Sequence, residues 1–288
     1  MGYRIAILFH ESDRHSIIRR YAVTALADIW REDGHTVFPL FGIRKFVPAD
    51  LVFVHVDVSV VPAAYLAFAR QYPIAVNGNV LDIRKSAFSR YLLHEGDPYP
   101  GPVFIKSDGN YAGIPDDTRR WPYSLLSPAV GYYAAKAMRI LRHPFSSETF
   151  RIPSDYLVVE NLRKVPPQWF QRKDIVIQRF CPEFEDGLYH TRFYNFLGSR
   201  HDCIRLSAPK PVVNARSSIH SETVPVHPEI VQLRQDLGFD YGKFDYVIHE
   251  GKPLLLDINK TTGAARRATP EIQALRRHRA EGLYIFFR

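Results

Sequence analysis

The sequence predicts an α/β protein, with an open parallel layer at the N-terminal end followed by α+β lobes. Three observations carry this. Residues 4–9, Arg-Ile-Ala-Ile-Leu-Phe, form a near-continuous apolar run, as expected of a strand buried on both faces of a parallel sheet. Strand-like and helix-like patterns then alternate through the first 79 residues, which implies βαβ units. Near the other end, two apolar strand patterns meet at His249-Glu250-Gly251-Lys252, as in an antiparallel hairpin.

The elements of the first layer follow in order. His10-Glu11-Ser12-Asp13 offers helix-capping chemistry, and Ile17, Ile18, Tyr21, Ala22, Leu26 and Trp30 recur at helical spacing until Gly34 ends them. Residues 35–40 and 51–56 read as the second and third strands. Pro62 opens a helix as a first-turn proline can, and residues 74–76 supply a fourth strand. In such a layer, sites lie beyond the carboxyl ends of the strands, where His10, Glu11, His55 and Asp57 stand. Glu11 and Asp57 are candidate substrate contacts because a carboxylate pairs an amine directly; capping and loop solvation is the other reading of these positions.

Asn77-Gly78-Asn79 marks a turn, and residues 83–93 read as a helix with Lys85 near its start. Residues 102–106 form a strand ending in Lys106, followed by Ser107-Asp108-Gly109-Asn110-Tyr111-Ala112-Gly113. A lysine beside such a loop meets a phosphate as a point charge while loop amides donate hydrogen bonds. Residues 114–126 are rich in turn formers. Val130, Tyr133, Ala134, Ala137, Met138 and Leu141 give a helical core stripe. Residues 156–159 read as a strand, Pro166-Pro167 opens a short helical turn, and residues 174–182 run from a strand into a turn. Residues 188–197 and 202–206 pair around Gly198-Ser199-Arg200, with Arg192 and Arg205 inside the strands, where a charge needs solvent or a partner. Residues 208–228, rich in Pro, Ser and Asn, are too long for a tight connection and read as a lid or a disordered loop. Residues 228–237 are helical, Pro270 opens a basic helix, and residues 283–287 close the chain as a short apolar strand.

The hairpin carries the chemistry. With Glu250-Gly251-Lys252 as a three-residue loop, Asp245 lies opposite Asp257; a two-residue loop would put Asp245 one residue out and facing away. The three-residue loop is expected. Asp257 and Asn259 are two apart, so on a strand they share a face. Two carboxylates and an amide oxygen on one patch are hard ligands, suited to a Mg²⁺ ion that bridges to phosphate oxygens. Taken alone, Asp-x-Asn also reads as a cap or turn.

The whole run, Leu237-Gly238, then Phe244-Asp245, Asp257, Asn259 and the loop holding Gly263, resembles the metal-binding end of the ATP-grasp superfamily. The resemblance implies an ATP-grasp fold preceded by a Rossmann-like α/β domain. Its divisions are residues 1–79, then a small ATP-binding lobe with the adenine hinge at 80–182, then the metal-binding lobe at 183–288. ATP and Mg²⁺ are the implied cofactors, with Asp245, Asp257 and Asn259 as metal ligands. Val80-Leu81-Asp82-Ile83-Arg84-Lys85 resembles the Asp-Lys helix start of such chains, and Lys106 with its loop resembles the nucleotide-binding lysine and phosphate cover. Gln178-Arg179-Phe180-Cys181 resembles the hinge that recognises adenine, which leaves Glu183 or Glu185 for the ribose hydroxyls. The strand Tyr189-His190-Thr191-Arg192-Phe193-Tyr194 resembles the one whose arginine faces the transferred phosphate. Arg192, Arg205 and Lys106 are accordingly the implied catalytic residues. Thr262 and Gly263, just past the hairpin, are placed to meet a substrate carboxylate. The chain departs from the family pattern at Asp257, where Glu is commoner, at Gln178, where Glu is again usual, at the short 95–101 connection and in the two glycines of the 107–113 loop.

The activity implied is an ATP-dependent ligase, joining the carboxylate of a small molecule or peptide to an amine through an acylphosphate. A phosphotransferase acting on a hydroxyl, and a nucleotide-binding module without turnover, are the other classes. No Ser/His/Asp or Cys/His arrangement competes. At 288 residues and 46% hydrophobic the chain builds a core unaided. The net charge of +8 suits an anionic ligand such as ATP. Nucleic acid is disfavoured because no aromatic platform interrupts Arg266-Arg267 or Arg276-Arg277-His278-Arg279, which read as a solvated helix face. Cys181 and Cys203 are too few and too far apart for a thiolate metal site, and both are expected reduced in a cytoplasmic protein. A signal segment and an 18-residue apolar run are lacking, so no membrane role is expected, and a homo-oligomer is compatible with the pattern.

Overall fold

The computed structural model describes residues 2–13, 15–120, 137, 156–264 and 269–288. The N-terminal layer is a four-stranded parallel sheet. β1 (Arg4–Phe9) lies between β2 (Thr36–Phe41) and β3 (Leu51–Val54), and β4 (Ile74–Val76) flanks β3. β1 is apolar at nearly every position because both faces are covered. Ile5, Ile7 and Phe9 pack with Leu26 and Trp30, and Ala6 and Leu8 share a cluster with Tyr65, Leu66 and Phe68.

The single helix expected between Ile17 and Trp30 is two, α1 (His15–Ile18) and α2 (Ala22–Glu32). Tyr21 separates them with an extended backbone, φ −89° and ψ 143°, because it bridges to Gly263 at the far end of the chain. α3 (Ala63–Ala69) follows Pro62 as expected. The next expected helix is only a turn long, α4 (Lys85–Phe88). Beyond it the chain is drawn out along a neighbouring strand: Leu93 N–H donates to Ile177 O at 2.8 Å, and Arg179 N–H to Tyr91 O at 2.9 Å.

That neighbour belongs to a small antiparallel sheet in the order β6-β5-β7, formed by β5 (Val103–Ser107), β6 (Leu157–Val159) and β7 (Ile175–Arg179). Val103 and Ile105 pack with Trp169, Ile175 and Ile177 on one face, so the alternate residues Phe104 and Lys106 project from the other. α5 (Ile114–Arg120) leaves the loop after β5, and α6 (Pro167–Phe170) leads into β7. The helical stripe expected over residues 130–141 lies, Ala137 apart, outside the described residues.

The third sheet is antiparallel, in the order β11-β10-β9-β12-β13, with β8 also on β9. Its strands are β8 (Glu183–Glu185), β9 (Leu188–Leu197), β10 (Arg200–Ala208), β11 (His220–Thr223), β12 (Tyr241–His249) and β13 (Lys252–Asn259). One face carries an aromatic core of Tyr194, Phe196, Phe244 and Tyr246, packed with Ile230 of α7 (Pro228–Asp236). The segment 208–228, expected as lid or disordered loop, contains β11, and Val213 packs on Leu206 and Ala208.

α8 (Pro270–Ala280) joins the first layer to the third sheet. Trp30 Nε1 donates to Ala280 O at 3.0 Å, Arg277 pairs with Glu32 and Asp33, and Arg279 pairs with Asp202. Two of the basic side chains read as a solvated face therefore tether the helix at both ends of this contact. Residues 281–287 are a 3-10 helix, not the expected strand. The chain goes on turning out of α8 and lays Phe287 flat on Tyr3, ring centroids 3.7 Å apart. No helix among the described residues is long and apolar enough to cross a membrane.

Candidate active site

The hairpin turn is Glu250-Gly251, a two-residue turn with φ of 50° and 76°, the backbone that a twisted hairpin favours. The expected three-residue loop is not formed. Asp245 nevertheless lies opposite Asp257, because the strand itself restores the register. Pairing runs from His249↔Lys252 to Tyr246↔Leu255 and then resumes at Asp245↔Asp257, leaving Leu256 as a bulge. Its carbonyl oxygen accepts a hydrogen bond from Lys106 Nζ at 2.9 Å, which ties the bulge to the small sheet.

Directly paired residues share a face, so Asp245 and Asp257 stand together, with the Lys243↔Asn259 pair beside them. Three lysines converge on the acids. Lys243 Nζ lies 2.8 Å from Asp245 Oδ1, and Lys85 Nζ lies 2.8 Å from Asp257 Oδ1. Lys243 Nζ also donates to Asp245 Oδ2 at 2.9 Å, while Asp245 Oδ1 and Asp257 Oδ1 are buried oxygens in ion-pair contact with an ammonium and make no well-directed hydrogen bond. Burial raises the Asp245 pKa, opposed by Lys243 and reinforced by Asp257. Burial also pulls Lys106 down to about 7, helped by Lys85 close by and opposed by the two acids. For Lys85 burial acts in the same downward direction, but Asp257 overrides it and leaves the ammonium raised.

The arginines fall elsewhere. Arg192 is paired with Tyr246 on β12 and with Arg205 on β10, so both arginines lie on the aromatic-core face, opposite Asp245. Arg192 donates to Glu183 through Nε at 3.1 Å and Nη2 at 2.7 Å, and Arg205 pairs with Glu185 and Glu222. Glu183 also accepts from Ile248 N–H at 2.7 Å. The catalytic reading of Arg192 and Arg205 is corrected accordingly, as is the ribose reading of Glu183, whose carboxylate is buried in this network. The strand period decides it: Arg192 is one residue from the face that Phe193 shares with Asp245. Glu185 is exposed and holds Arg205.

Across from the acids, the small sheet turns Phe104, Lys106 and Gln178 toward the third sheet. Gln178 Nε2 donates to Ser89 Oγ at 2.7 Å, leaving its amide oxygen as an acceptor. Arg179 N–H and Phe180 N–H are taken by Tyr91 O and Pro102 O. Phe180 stands between Phe104, at 5.9 Å, and Tyr189, at 6.4 Å. Cys181 is partly exposed beside it.

Of the substrate candidates, Glu11 is exposed at the carboxyl end of β1. Asp57 is buried with both oxygens engaged, Oδ1 by Thr261 Oγ1 at 2.6 Å and Oδ2 by Tyr21 OH at 2.7 Å and Arg119 Nη2 at 3.2 Å. Asp57 is thus buried beneath three donors of the chain itself and not presented to an incoming amine, which runs against the substrate-contact reading. Thr262 shares a hydrogen bond with Tyr241 OH at 2.9 Å, and Gly263 bridges Tyr21, so this loop is sewn to the first layer.

Sequence reasoning passed over Lys243 and Arg119 as site groups. Lys243-x-Asp245 carried a usable signal, the two-residue spacing that puts both on one face. Arg119 had none, because its short helix sits in a segment of turn formers.

No protein-family model matches the sequence, and no curated protein matches it. Similarity to solved structures spans nearly the whole chain. The D-alanine–D-alanine ligase of Bacillus anthracis superposes with a TM-score of 0.52 at 9% identity, covering 99% of this chain and 96% of that one. The same enzyme complexed with ATP gives a TM-score of 0.51 at 8% identity over the same shares. A RimK domain ATP-grasp protein of Sphaerobacter thermophilus gives 0.50 at 12% identity, covering 97% of this chain and 98% of that one. The chain therefore has the ATP-grasp fold, an α/β architecture with three sheets among the described residues and the acid hairpin at the edge of the last.

Proposed function

We propose that the protein is an ATP-dependent ligase that activates a carboxylate as its acylphosphate and joins it to an amine. One observation carries the proposal: Asp245 and Asp257 oppose each other on one face, each with a buried oxygen whose nearest partner is a lysine ammonium, while Lys85 and Lys106 approach from the small sheet and the helix before it. The donor set suits a magnesium ion held by Asp245, Asp257 and Asn259, all hard oxygen ligands. When bound, such an ion supplies charge neutralisation at the phosphates.

The chain's own groups do the rest. Lys85 and Lys106 are ammonium point charges for phosphate oxygens, and the loop after Lys106 supplies backbone amides. The Gln178 amide oxygen suits the adenine amino group, and Phe180 with its aromatic neighbours suits the ring. Phosphoryl transfer needs positioning and cations more than covalent help. A substrate carboxylate oxygen attacks the γ-phosphorus as the bond to ADP breaks. A neutral amine then attacks the acyl carbon, expelling inorganic phosphate and releasing a proton. Glu11, exposed at the end of β1, is the group offered for a substrate ammonium.

The test is product analysis by mass spectrometry after incubation with ATP, Mg²⁺ and pooled amino acids and small carboxylic acids. ADP, phosphate and an amide are expected in equal amounts. A phosphorylated hydroxyl compound without amide would make the protein a phosphotransferase, and nucleotide binding with no ADP formed would make it a module without turnover.

A further inference from the structure

Asp57 links two segments that are remote in sequence. It sits in the first layer just past β3, yet it holds a threonine of the loop that follows the acid hairpin. That threonine, Thr261, folds back on Asn259: its N–H donates to Asn259 Oδ1 at 2.8 Å, and its Oγ1 stands 3.4 Å from the same oxygen. A threonine hydroxyl has one proton. The 2.6 Å contact with a carboxylate, a charge-assisted hydrogen bond, takes that proton toward Asp57 Oδ1. Asn259 Oδ1 therefore accepts only the backbone N–H, and its second lone pair stays open.

We propose that Asp57 is a positioning residue for the metal-nucleotide site, acting by keeping the Thr261 hydroxyl proton away from Asn259. The inference rests on the reading of Asn259 as a metal ligand given above. Asp57 is itself held by Tyr21 OH of the first layer and by Arg119 of α5, so docking of that layer against the hairpin loop and readiness of the metal ligand are one event. Lys260, between Asn259 and Thr261, anchors the same loop by donating to Val58 O.

Asp57→Asn tests this without changing volume. Tyr21 OH and Arg119 both donate toward the Oδ2 position, so the new amide oxygen settles there and the NH₂ faces Thr261 Oγ1. The threonine, now an acceptor, turns its proton to Asn259 Oδ1 and fills the open lone pair. Mn²⁺ binding in the presence of ATP, followed by electron paramagnetic resonance, is expected to weaken about ten-fold or more, as when the partner that orients a metal ligand is lost. Thr261→Val removes the proton altogether. Alone it is expected to leave Mn²⁺ affinity within about two-fold of wild type, and combined with Asp57→Asn it is expected to restore most of what that change loses. A role for Asp57 confined to holding the loops together predicts no rescue, and a double variant as weak as Asp57→Asn overturns the proposal. A large loss in Thr261→Val alone overturns it as well, whether or not Asp57→Asn folds. Wild-type protein that holds no Mn²⁺ with ATP overturns the metal-site reading and this inference together, whereas strong wild-type binding unchanged in Asp57→Asn overturns this inference alone.

Discussion

Asp257→Asn is expected to remove nearly all of the thermal stabilisation that MgATP gives the wild type, and to lower the melting temperature of the free protein as well. At a hundred times Kd a ligand stabilises by about 2.7 kcal/mol, which for a chain of this size is a rise of roughly 5 °C. Losing one of two carboxylates from a divalent site is expected to weaken MgATP at least 100-fold, which leaves about 0.4 kcal/mol, or roughly 1 °C. The second loss comes from Lys85. Its side chain is almost fully buried and its ammonium is held charged by Asp257. A buried charge stripped of its partner destabilises by about 3 kcal/mol. Differential scanning fluorimetry with and without MgATP measures both. A variant whose MgATP shift equals that of wild type contradicts the assignment.

Lys106→Met is expected to act in opposite directions on stability and turnover. The ammonium is buried and held down at about 7 by desolvation and by Lys85. A lysine whose folded pKa lies below its unfolded value destabilises the native state in full below the folded value, and the penalty fades as pH rises toward 10.5. At neutral pH that penalty is on the order of a few kcal/mol. Methionine fills the volume without the charge, but it leaves Leu256 O without its donor, a loss of about 1–3 kcal/mol. The free variant is expected to melt several degrees above wild type at pH 7, with the gap closing by pH 10. Turnover is expected to fall at least 100-fold, because a cation aimed at developing phosphate charge is gone. A destabilised Lys106→Met with normal turnover would contradict the role given to Lys106.

These two residues show what the sequence makes legible. The strand leading to Lys106 is legible because an apolar run ends at a lysine before a loop, and local patterns of that kind survive folding. The spacing of Asp257 and Asn259 fixes a common face on any strand, and β13 has that face. The opposition of Asp245 and Asp257 holds with a different turn from the three-residue loop that the sequence predicts: the hairpin uses two residues, and a bulge at Leu256 supplies the missing one. A bulge leaves no mark in a run of three leucines, and its anchor, Lys106, lies 150 residues away. Arg192 shows the complementary limit. Its strand is legible in the sequence, but the choice between two faces depends on a partner strand, and Glu183 holds the guanidinium. Asp57 and Arg119 were unreadable as a pair, since a buried ion pair between distant segments has no local signature.

The fold-level outline was easier. Continuous apolar runs and helical periods specify the parallel layer almost strand by strand, because each element there is stabilised by faces that its own sequence declares. Elements that rely on a remote contact were harder. The helix expected to reach residue 93 is only a turn long, because residues 91–93 are drawn out along β7. The last strand expected is a 3-10 helix, since residues 281–287 pack against the first layer and pair with no sheet.

Crystals grown with Mn²⁺ and a non-hydrolysable ATP analogue test the central claim most directly, by anomalous diffraction at the manganese edge. The account predicts manganese bound directly by oxygens of Asp245, Asp257 and Asn259 and bridging to the analogue's phosphates, with Lys85 and Lys106 on those phosphates. Nucleotide density elsewhere, or manganese away from both carboxylates, would contradict it.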